Sequence, residues 1–567
     1  MSSTQSIKPL KLKNCIDPRL DCMDYIQKED SWCIFKGAEG QNQVVQQANS
    51  YSTAGVVWNF NTQSENVIID RRLYARVQFR MTFTGTSPIG QGLLNSEFDA
   101  PRAFPLASIT NSLKVGINGQ SVETNYSDAL QALLRYDLDE KCKKLDLSGS
   151  PNCLDKYQRY SNGVGSVRNP LSTYQNNSYE IGRGAFQLDA ITNPLSVDGV
   201  TPTTSVVDFT VVEPLMISPM LYKSSHLERG LIGVKNMAVQ FNFSAGQLNR
   251  VWSHAVNAGV AITSAVCSIG AGTTAPPQLL VNYLSPPLID MGEIPKSINY
   301  QYYKCETYVN DMNDTLLPNV NRTFTNNAIQ LSTVPRCIYI YASRPNSAKT
   351  FETTDTFFRI NSLSLNYLNV SGQFSSMTIN DLYNMSVKNG CDLSWCEWSG
   401  LTNNISDGTS DGLVGSVLKI DIGDLHIPSN VASGMNTNSQ LSYSVNLQNV
   451  NQVDTIGVQL TTVLVYDGLM TIENGSMNTQ IGIIDSNDVL QTRANGPWEN
   501  DPKSMGQSLY GGSMFGKIGH FLSMGKKALD VACDLKKNLG GELVNSGHGS
   551  SGGAVVSRSS LKKRMFE

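Results

Sequence analysis

The 567-residue sequence is poor in charge, because Asp, Glu, Lys and Arg make up only 16% of it. An average globular protein has about 25%. Hydrophobic residues make up 40%, which argues against a disordered chain, since disorder combines high charge with little apolar content. The low charge also argues against a coiled coil. A net charge of −4 excludes a protein that binds nucleic acid over its whole surface.

Segments that would direct the chain into a membrane or out of the cell are missing. No run of about 18 apolar residues is present, and the N-terminal MSSTQSIKPLKLKN lacks the apolar core of a secretory signal. The eleven cysteines are odd in number, widely spread and without a C-x-x-C pair. We therefore expect reduced thiols in a protein made inside the cell, rather than a disulfide scaffold.

Motifs of catalysis and cofactor binding are also scarce. The five histidines show no metal-binding spacing, and neither H-E-x-x-H nor a phosphate-binding G-x-x-x-x-G-K-[ST] loop occurs. Cys391 and Cys396 lie close together, but two thiols without nearby histidines make a weak zinc site. We expect no enzyme and no bound cofactor or metal ion.

What the sequence does contain is alternation of apolar and polar residues. In residues 73–84 every odd position is apolar and the even positions are mostly polar, which is typical of a half-buried strand. The same period recurs in 237–243, 441–447 and 456–460. We predict an all-β chain with strands from about residue 53 to about residue 470, built as β-sandwiches with long polar loops.

Two segments in this region, 127–136 and 378–388, have a helical pattern instead. Each follows a polar capping residue that has an aspartate three positions later, where a carboxylate faces the positive end of the helix. The capping residues and aspartates are Asn125 with Asp128 and Thr378 with Asp381. Asn389-Gly390 is a typical stop for the second helix.

The two helices belong to an internal repeat. The segments that start at Ser112 and Ser362 both predict a strand, a glycine-containing turn, a second strand and a capped helix. Gly119 and Gly372 are 253 residues apart, and Asp128 and Asp381 have the same separation. Asn118-Gly119 favours a two-residue hairpin. Further along, the stretch that starts at Glu213-Pro214 parallels the one that starts at Asp424. A repeat of this length indicates two copies of a domain.

Two consecutive eight-stranded jelly-roll sandwiches, each with a helix after its fourth strand, resemble the double jelly-roll major capsid proteins. This lineage includes adenovirus hexons, tectivirus-type phages and virophages. The resemblance covers roughly residues 51–480. It is carried by the two repeat units together with 354–360, 382–383, 388–390, 417–421 and 428–429.

The resemblance implies a coat protein of an icosahedral virus that forms homotrimers, whose six jelly rolls mimic a hexagon in the capsid lattice. Strands would stand upright in the shell, with loops forming towers outside. It also implies minor capsid or penton proteins and a host receptor as partners, and assembly of the virion inside the host cell. A chain with few charges can bury wide lateral surfaces without stranding ions.

We predict four regions along the chain. They are an N-terminal arm (1–50), a first jelly roll (51–290), a second jelly roll (291–480) and a glycine-rich C-terminal tail (481–567). Residues 501–567 contain ten Lys or Arg and five acids. Within the tail, 514–539 has the pattern of a cationic amphipathic helix, carried by Phe515, Ile518, Leu522, Lys526, Lys527 and Leu529.

Three hypotheses for the tail stay open. It could be an arm that packs on a neighbouring subunit. It could be a tether to the genome through Lys562, Lys563 and Arg564. It could also be a membrane-active peptide. The last hypothesis draws on Leu509, Gly511, Gly512 and the following Ser513, which are similar to the Leu-x-Gly-Gly sites cut by adenovirus-type maturation proteases.

Two other functions are considered. One is a coat protein with a single jelly roll and a protruding β domain. The other is a glycan-binding or glycan-cleaving spike protein, which would use clustered tryptophans beside a carboxylate. Trp395 and Trp398, next to Glu397, are the candidates for that cluster.

Overall fold

The computed structural model describes residues 40–62, 64, 67–95, 99–136, 154–155, 157–160, 188–220, 230–256, 259–269, 276–285, 297–368, 370–401, 403–404, 410–425, 436–473 and 475–481. Strands dominate this part of the chain. Its helices are short, namely α1 (Pro105–Ile109), α2 (Tyr126–Leu133), α3 (Ile379–Lys388) and α4 (Trp395–Ser399). The mostly β composition confirms the predicted fold class.

The first half of the chain folds into one β-sandwich. Its strands are β1 (Gly40–Gln47), β2 (Ser50–Ser52), β3 (Gly55–Asn61), β4 (Ile68–Ile69), β5 (Tyr74–Thr86), β6 (Asp99–Pro101), β7 (Thr110–Ile117), β8 (Gln120–Asn125), β9 (Leu188–Thr192), β10 (Thr203–Pro214), β11 (Asn236–Phe243), β12 (Trp252–His254), β13 (Ala261–Ile269) and β14 (Gln278–Ser285). The front sheet has the order β1-β14-β5-β10-β9, and the back sheet has the order β2-β3-β11-β7-β8. Between them lies a core that includes Trp58, Phe79, Val115 and Phe241.

The second half folds into a second sandwich. Its strands are β15 (Ser297–Leu316), β16 (Asn321–Thr325), β17 (Ile329–Thr333), β18 (Cys337–Ser343), β19 (Arg359–Tyr367), β20 (Val370–Gln373), β21 (Asn403–Asn404), β22 (Ser410–Asp411), β23 (Val417–Asp421), β24 (Asn436–Gln448), β25 (Ile456–Glu473) and β26 (Ser476–Ile481). The front sheet runs β15-β25-β18-β23, and the back sheet runs β16-β24-β19-β20. Its separate core includes Ile340, Leu363, Trp398 and Tyr443.

Both sandwiches have the same strand order. When each is reduced to eight strand positions, the front sheet pairs positions 1-8-3-6 and the back sheet pairs 2-7-4-5, with position 8 of the first sandwich split into β13 and β14. This is the jelly-roll arrangement, in which connections repeatedly cross between the sheets. The repeat starts Ser112 and Ser362 both lie in the strand at position 4, each opposite an asparagine of position 7.

The helix of each jelly roll follows the fifth strand rather than the fourth. The connection after the fourth strand is the tight hairpin, and the helix then covers the edge between positions 5 and 6. The two predicted helices themselves are confirmed. Asn125 accepts a hydrogen bond from the Asp128 amide, and Thr378 forms a capping box with Asp381. Gly390 ends the second segment with a φ of 94°.

The proposed pairing of Gly119 with Gly372 in the repeat is wrong. Asn118 and Gly119 do form the first hairpin turn, with φ of 50° and 85°. The second hairpin turns after Tyr367, where Leu368 has a φ of 48°, and Gly372 lies near the end of β20 instead. The number of residues between the hairpin turn and the helix therefore differs between the two copies, because a further turn precedes α3.

The first sandwich also begins earlier than predicted. β1 lies inside the segment 1–50 that was predicted as an arm, and it pairs with β14 from Gly40 opposite Ser285 to Gln47 opposite Gln278. Its sequence, GQNQVVQQ, shows no apolar alternation. The strand is therefore fixed by backbone hydrogen bonds along a sheet edge, which a hydrophobic pattern does not reveal.

The two sandwiches stand side by side with matching ends together, within one compact unit. At the turn end, which carries the hairpins, the Tyr300 hydroxyl accepts from the Ile232 amide at 3.0 Å and donates to the Gly230 carbonyl at 3.1 Å. At the opposite loop end, the His254 amide donates to the Phe351 carbonyl at 3.1 Å. The strands of both sandwiches therefore point the same way.

Candidate functional site: the joint between the sandwiches

A chain with the expected role in a shell would act through its contact surfaces, and the described part of the chain contains one such surface in full, the joint between the two sandwiches. Helix α2 forms its centre because it is buried on two sides. Tyr126 and Leu130 pack into the core of the first sandwich. Ala129, Ala132 and Leu133 turn the other way and pack on the second sandwich.

The surface that receives α2 is the outer face of the second front sheet. It is apolar and aromatic, and it is formed by Tyr303, Cys305, Cys337, Tyr339, Tyr341, Val417, Val463 and Val465. The outward side of a sheet normally carries polar residues in alternation with the core side. Here both sides of β18 are buried, as its run CIYIYAS indicates. The outer face of this sheet is therefore stable only when another element packs on it.

Tyrosine hydroxyls tie the helix to that sheet. Tyr136, just after α2, lies edge-on to Tyr339 with ring centroids 5.5 Å apart, and its hydroxyl donates to the Val417 carbonyl. The Tyr341 hydroxyl donates to the Asp128 carbonyl at 2.7 Å. Burial raises the pKa of both tyrosines well above the ordinary value. Both hydroxyls therefore stay protonated and can serve as donors.

At the loop end the joint contains a buried ionic network. Arg102, from the first sandwich, has a side chain that is 1% exposed and pairs with Asp355 of the second sandwich at 3.0 Å. Its other guanidinium nitrogens donate to the Arg250 and Thr353 carbonyls, both at 2.8 Å. Asp155 lies 3.6 Å from the same guanidinium. The buried guanidinium of Arg102 is tolerated because nearly every one of its N–H donors has an acceptor.

The charges in this network shift each other's proton affinity. Burial alone would raise the pKa of Asp355, but Arg250, Arg102 and Lys349 outweigh burial and hold that pKa well below its usual range. Burial likewise acts to lower the pKa of Arg102, and the groups around it, including Asp355 and Asp155, outweigh burial and raise that pKa. Both groups therefore stay charged across the physiological pH range.

A segment from the long connection after α2 also inserts into the second sandwich. The Gln158 side-chain amide donates to the carbonyls of Phe357, Leu413 and Val414 at 3.0, 3.0 and 3.1 Å. The Thr354 hydroxyl donates to the Gln158 carbonyl at 2.8 Å. These contacts join loops of the two sandwiches as closely as neighbouring strands are joined within one sheet.

The sequence did not reveal the joint residues. Arg102, Asp355 and Gln158 belong to loops, and no pattern marks a charged residue for burial before the partner sandwich is in place. A signal was present in β18, since CIYIYAS has no polar alternation and reads as a strand that is buried on both faces.

The predicted sites of the tail lie outside the described residues. These are the cleavage site Leu509, Gly511, Gly512 and Ser513, the helix 514–539 and the basic residues Lys562, Lys563 and Arg564. In the described ranges, no cluster of His, Cys, Asp or Glu could hold a metal ion. Among the helices of those ranges, none is long and apolar enough to span a membrane.

The tryptophan cluster considered for glycan binding has a structural role. Trp398 is fully buried and its indole donates to the Val417 carbonyl at 2.9 Å. Glu397 accepts from the Ser394 amide at 2.9 Å and closes the capping box of α4. Trp395 stacks on Trp398 with ring centroids 6.5 Å apart. The carboxylate and the indole of Trp398 are thus used within the fold.

The architecture as a whole defines a double jelly-roll protein of the kind that builds icosahedral shells. The sequence matches the profile of the Sputnik virophage major capsid protein 1st domain over residues 14–284. It also matches that of the major capsid protein V20 C-terminal domain over residues 305–468. It is 28% identical over 540 residues to the capsid protein V20 of the Sputnik virophage, covering 92% of this chain and 87% of that relative.

Solved structures agree with these matches. The cryo-EM structure of the Sputnik virophage aligns with a TM-score of 0.72 at 28% identity, covering 89% of this chain and 100% of that chain. The crystal structure of the mavirus major capsid protein, at 16% identity, has the same fold with a TM-score of 0.63, covering 79% and 92%. The chain belongs to the double jelly-roll major capsid proteins of virophages and related icosahedral viruses.

As a major capsid protein, the chain is a structural component of the virion and assembles with copies of itself into the capsid lattice. Two sandwiches of the same strand order contradict the alternative of a single jelly roll with a protruding domain. The family matches likewise support the coat protein over a glycan-directed spike.

Proposed function

We propose that the building block of the shell is a homotrimer whose six jelly rolls form a pseudo-hexagonal ring. The observation that carries this proposal is the joint itself. It places two sandwiches of one topology side by side, with the same ends together and one edge of the first against the front sheet of the second. A contact of this kind between unlike surfaces forms a ring if its rotation closes and an open filament if it does not, and the proposal is that three chains close the ring.

Mass in solution tests this proposal. Purified chain, measured by light scattering coupled to size-exclusion chromatography, should have three times the 61.9 kDa of one chain, or should form shells visible by negative stain. A stable monomer at every concentration would contradict the trimer. A dimer or tetramer would contradict the pseudo-hexagonal ring while leaving self-association intact.

We further propose that the turn end faces the inside of the shell and that the basic tail is an arm that packs on neighbouring subunits there. Two observations support this orientation. β1 starts at the turn end, with Gly40 opposite Ser285. β26, the last described strand, begins at the same end of the second sandwich, with Ser476 opposite Glu473. The long loops, which would meet minor proteins or a receptor, then lie outside.

Truncation before Ser513 separates the three hypotheses for the tail. If the tail is an arm, the truncated chain should form trimers but unstable or incomplete shells, and tail peptide 513–567 should neither leak dye from liposomes nor bind DNA at 0.15 M salt. Dye leakage by the peptide would replace the arm with a membrane role. Salt-dependent DNA binding with normal shells would replace it with a genome tether.

A further inference from the structure

Two surfaces of the described chain mirror the two sides of the joint and have residues that remain exposed to solvent. The first is the outer face of the first front sheet, here called the polar face. It is formed by the outward residues of β5, β10 and β13, namely Arg76, Gln78, Arg80, Thr82, Val206, Asp208, Thr210 and Val266. The second is the outer side of α3 and α4, here called the helix edge. It is formed by Asn380, Asp381, Asn384, Val387, Lys388, Trp395 and Cys396.

The polar face occupies the position on the first sandwich that the α2-binding face occupies on the second. Tyr339 and Lys419 are opposite each other on strand positions 3 and 6 of the second front sheet, under Tyr136. Arg80 and Asp208 are opposite each other on the same strand positions of the first front sheet. Arg76 is exposed and Val266 is 57% exposed, so no segment of the described chain covers this face.

The helix edge is the counterpart of α2. Like α2, α3 follows the fifth strand of its jelly roll and covers the edge next to position 6. Leu382 and Met385 face its own core. On the other side, Asn384 is exposed, Val387 is 45% exposed and the Lys388 side chain is 71% exposed. α2 is covered on both sides, whereas α3 is covered on one.

The chemistry of the two surfaces is complementary. The polar face presents the guanidinium of Arg76 and, partly engaged with Asp208, that of Arg80. The helix edge presents the partly exposed ring of Trp395 and the exposed carboxylate of Asp381, whose Oδ2 already accepts from the Thr378 amide and hydroxyl, so that a partner would be met by its Oδ1. Such groups pair with guanidinium by stacking and by charge. Such mixed surfaces are typical of contacts between chains that are soluble before they associate.

We propose that the helix edge of a second copy of this chain docks on the polar face, with α3 lying over Arg80 and Asp208 as Tyr136, just after α2, lies over Tyr339 and Lys419. The contact between chains would then repeat the joint within the chain, with polar pairs in place of aromatic packing. This assignment rests on the proposed trimer and specifies which surfaces hold it together.

The test uses the full-length chain with one substitution on each surface and a matched control. Asn384→Trp places a bulky ring on the helix edge, and Arg76→Glu reverses the exposed charge of the polar face. Asn59→Trp adds the same ring to an exposed position on the back sheet, which this contact does not use. Light scattering gives the trimer fraction, and thermal denaturation shows that each variant is folded.

We expect both surface variants to weaken association at least tenfold with unchanged melting of the separated chains, and Asn59→Trp to stay trimeric. Maleimide labelling gives a second readout. Cys396, which is exposed in the single chain, should react at least tenfold more slowly in wild-type trimers than in Asn384→Trp. If both variants still form trimers and Cys396 stays reactive in wild-type trimers, this interface is overturned while the trimer is not. A wild-type monomer would overturn the trimer itself.

Discussion

The outer faces of the two front sheets differ although the sheets have the same strand order. In the second sandwich that face carries Tyr339, Val463 and Val465 and is fully buried under α2. In the first it carries Arg76, Thr82 and Thr210, which keep contact with solvent. Topology alone therefore does not decide which face is covered during folding. The side chains decide it. An apolar face is unfavourable in water and is therefore buried when the single chain folds, whereas a polar face can stay exposed until another chain binds.

The largest effect should follow from placing a charge on each face in turn. Val463→Asp buries a carboxylate within the apolar face, where Val463 is 0% exposed, so we expect a loss of roughly 4 kcal/mol or more, or failure to fold. Thr82→Asp should change the unfolding free energy of the chain by about 0.5 kcal/mol or less. Thermal and urea denaturation measure both. Equal losses would contradict the difference between the two faces.

The buried ion pair at the joint should matter more than the half-exposed pair on the polar face. Arg102→Met removes one of the two buried guanidinium groups that pair with Asp355, leaving Arg250 as the other, and takes the donor from the Thr353 carbonyl. It should cost about 3–5 kcal/mol. Arg80→Met removes the pair with Asp208 at 2.7 Å, but the Arg80 side chain is 28% exposed, and we expect a loss of roughly 1 kcal/mol. Chemical denaturation at neutral pH gives both values. A cost for Arg80→Met as large as for Arg102→Met would refute this ranking.

A pH dependence of stability should arise in the first sandwich. Burial raises the pKa of Glu213, at the end of β10, to about 8 from 4.5, even though the Leu106 and Ala107 amides donate to its carboxylate. A raised pKa means that this group's stabilisation is complete below pH 4.5 and is lost as pH rises through 8. Wild-type melting temperature should therefore fall between pH 5 and pH 9, a window taken from this shift.

Glu213→Gln should flatten that dependence, and Glu123→Gln, at an exposed position of β8, should leave it unchanged. Melting curves of the three proteins in matched buffers make the measurement. A Glu213→Gln protein with the slope of the wild type would count against the buried carboxylate.

The smallest effect concerns the helix caps. α3 is held on one side only and has a full capping box, so Thr378→Ala should cost about 1 kcal/mol. The bond from the aspartate amide to the cap is 3.4 Å long at both helices, but only Thr378 has the reciprocal bond from its own amide to the aspartate, at 2.9 Å, and α2 is enclosed on both sides. Asn125→Ala should therefore cost less than Thr378→Ala. Urea titrations of the two variants compare these costs directly, and the reverse order would show that α2 depends on its cap.

Much of the fold could be predicted because each jelly roll is built from local signals. Alternation along residues 73–84 marks a strand with one buried side, and Thr378 with Asp381 marks a helix start. The repeat was visible through such signals, and it indicated two copies of one domain. These features depend on residues that are close together in the sequence, so a single sequence is enough to predict them.

The joint could not be predicted, because its residues are defined by contacts with residues that are distant in sequence. Arg102 and Asp355 are far apart in sequence and meet through loops, and β1 is defined by the sheet edge it joins. The misplaced second hairpin has a similar cause. Gly372 looked like a turn residue, but Leu368 takes the positive φ instead, which a bulky side chain seldom does.

Covalent continuity between the two jelly rolls has a kinetic consequence. Sandwiches made as separate chains would have to find one another at a rate set by their concentration. In the proposed ring of three chains, half of the contacts between neighbouring sandwiches form inside one polypeptide, at the high effective concentration of tethered partners. Dilution can then slow only the remaining half, so a shell can begin to grow at protein levels where unlinked halves would stay dispersed.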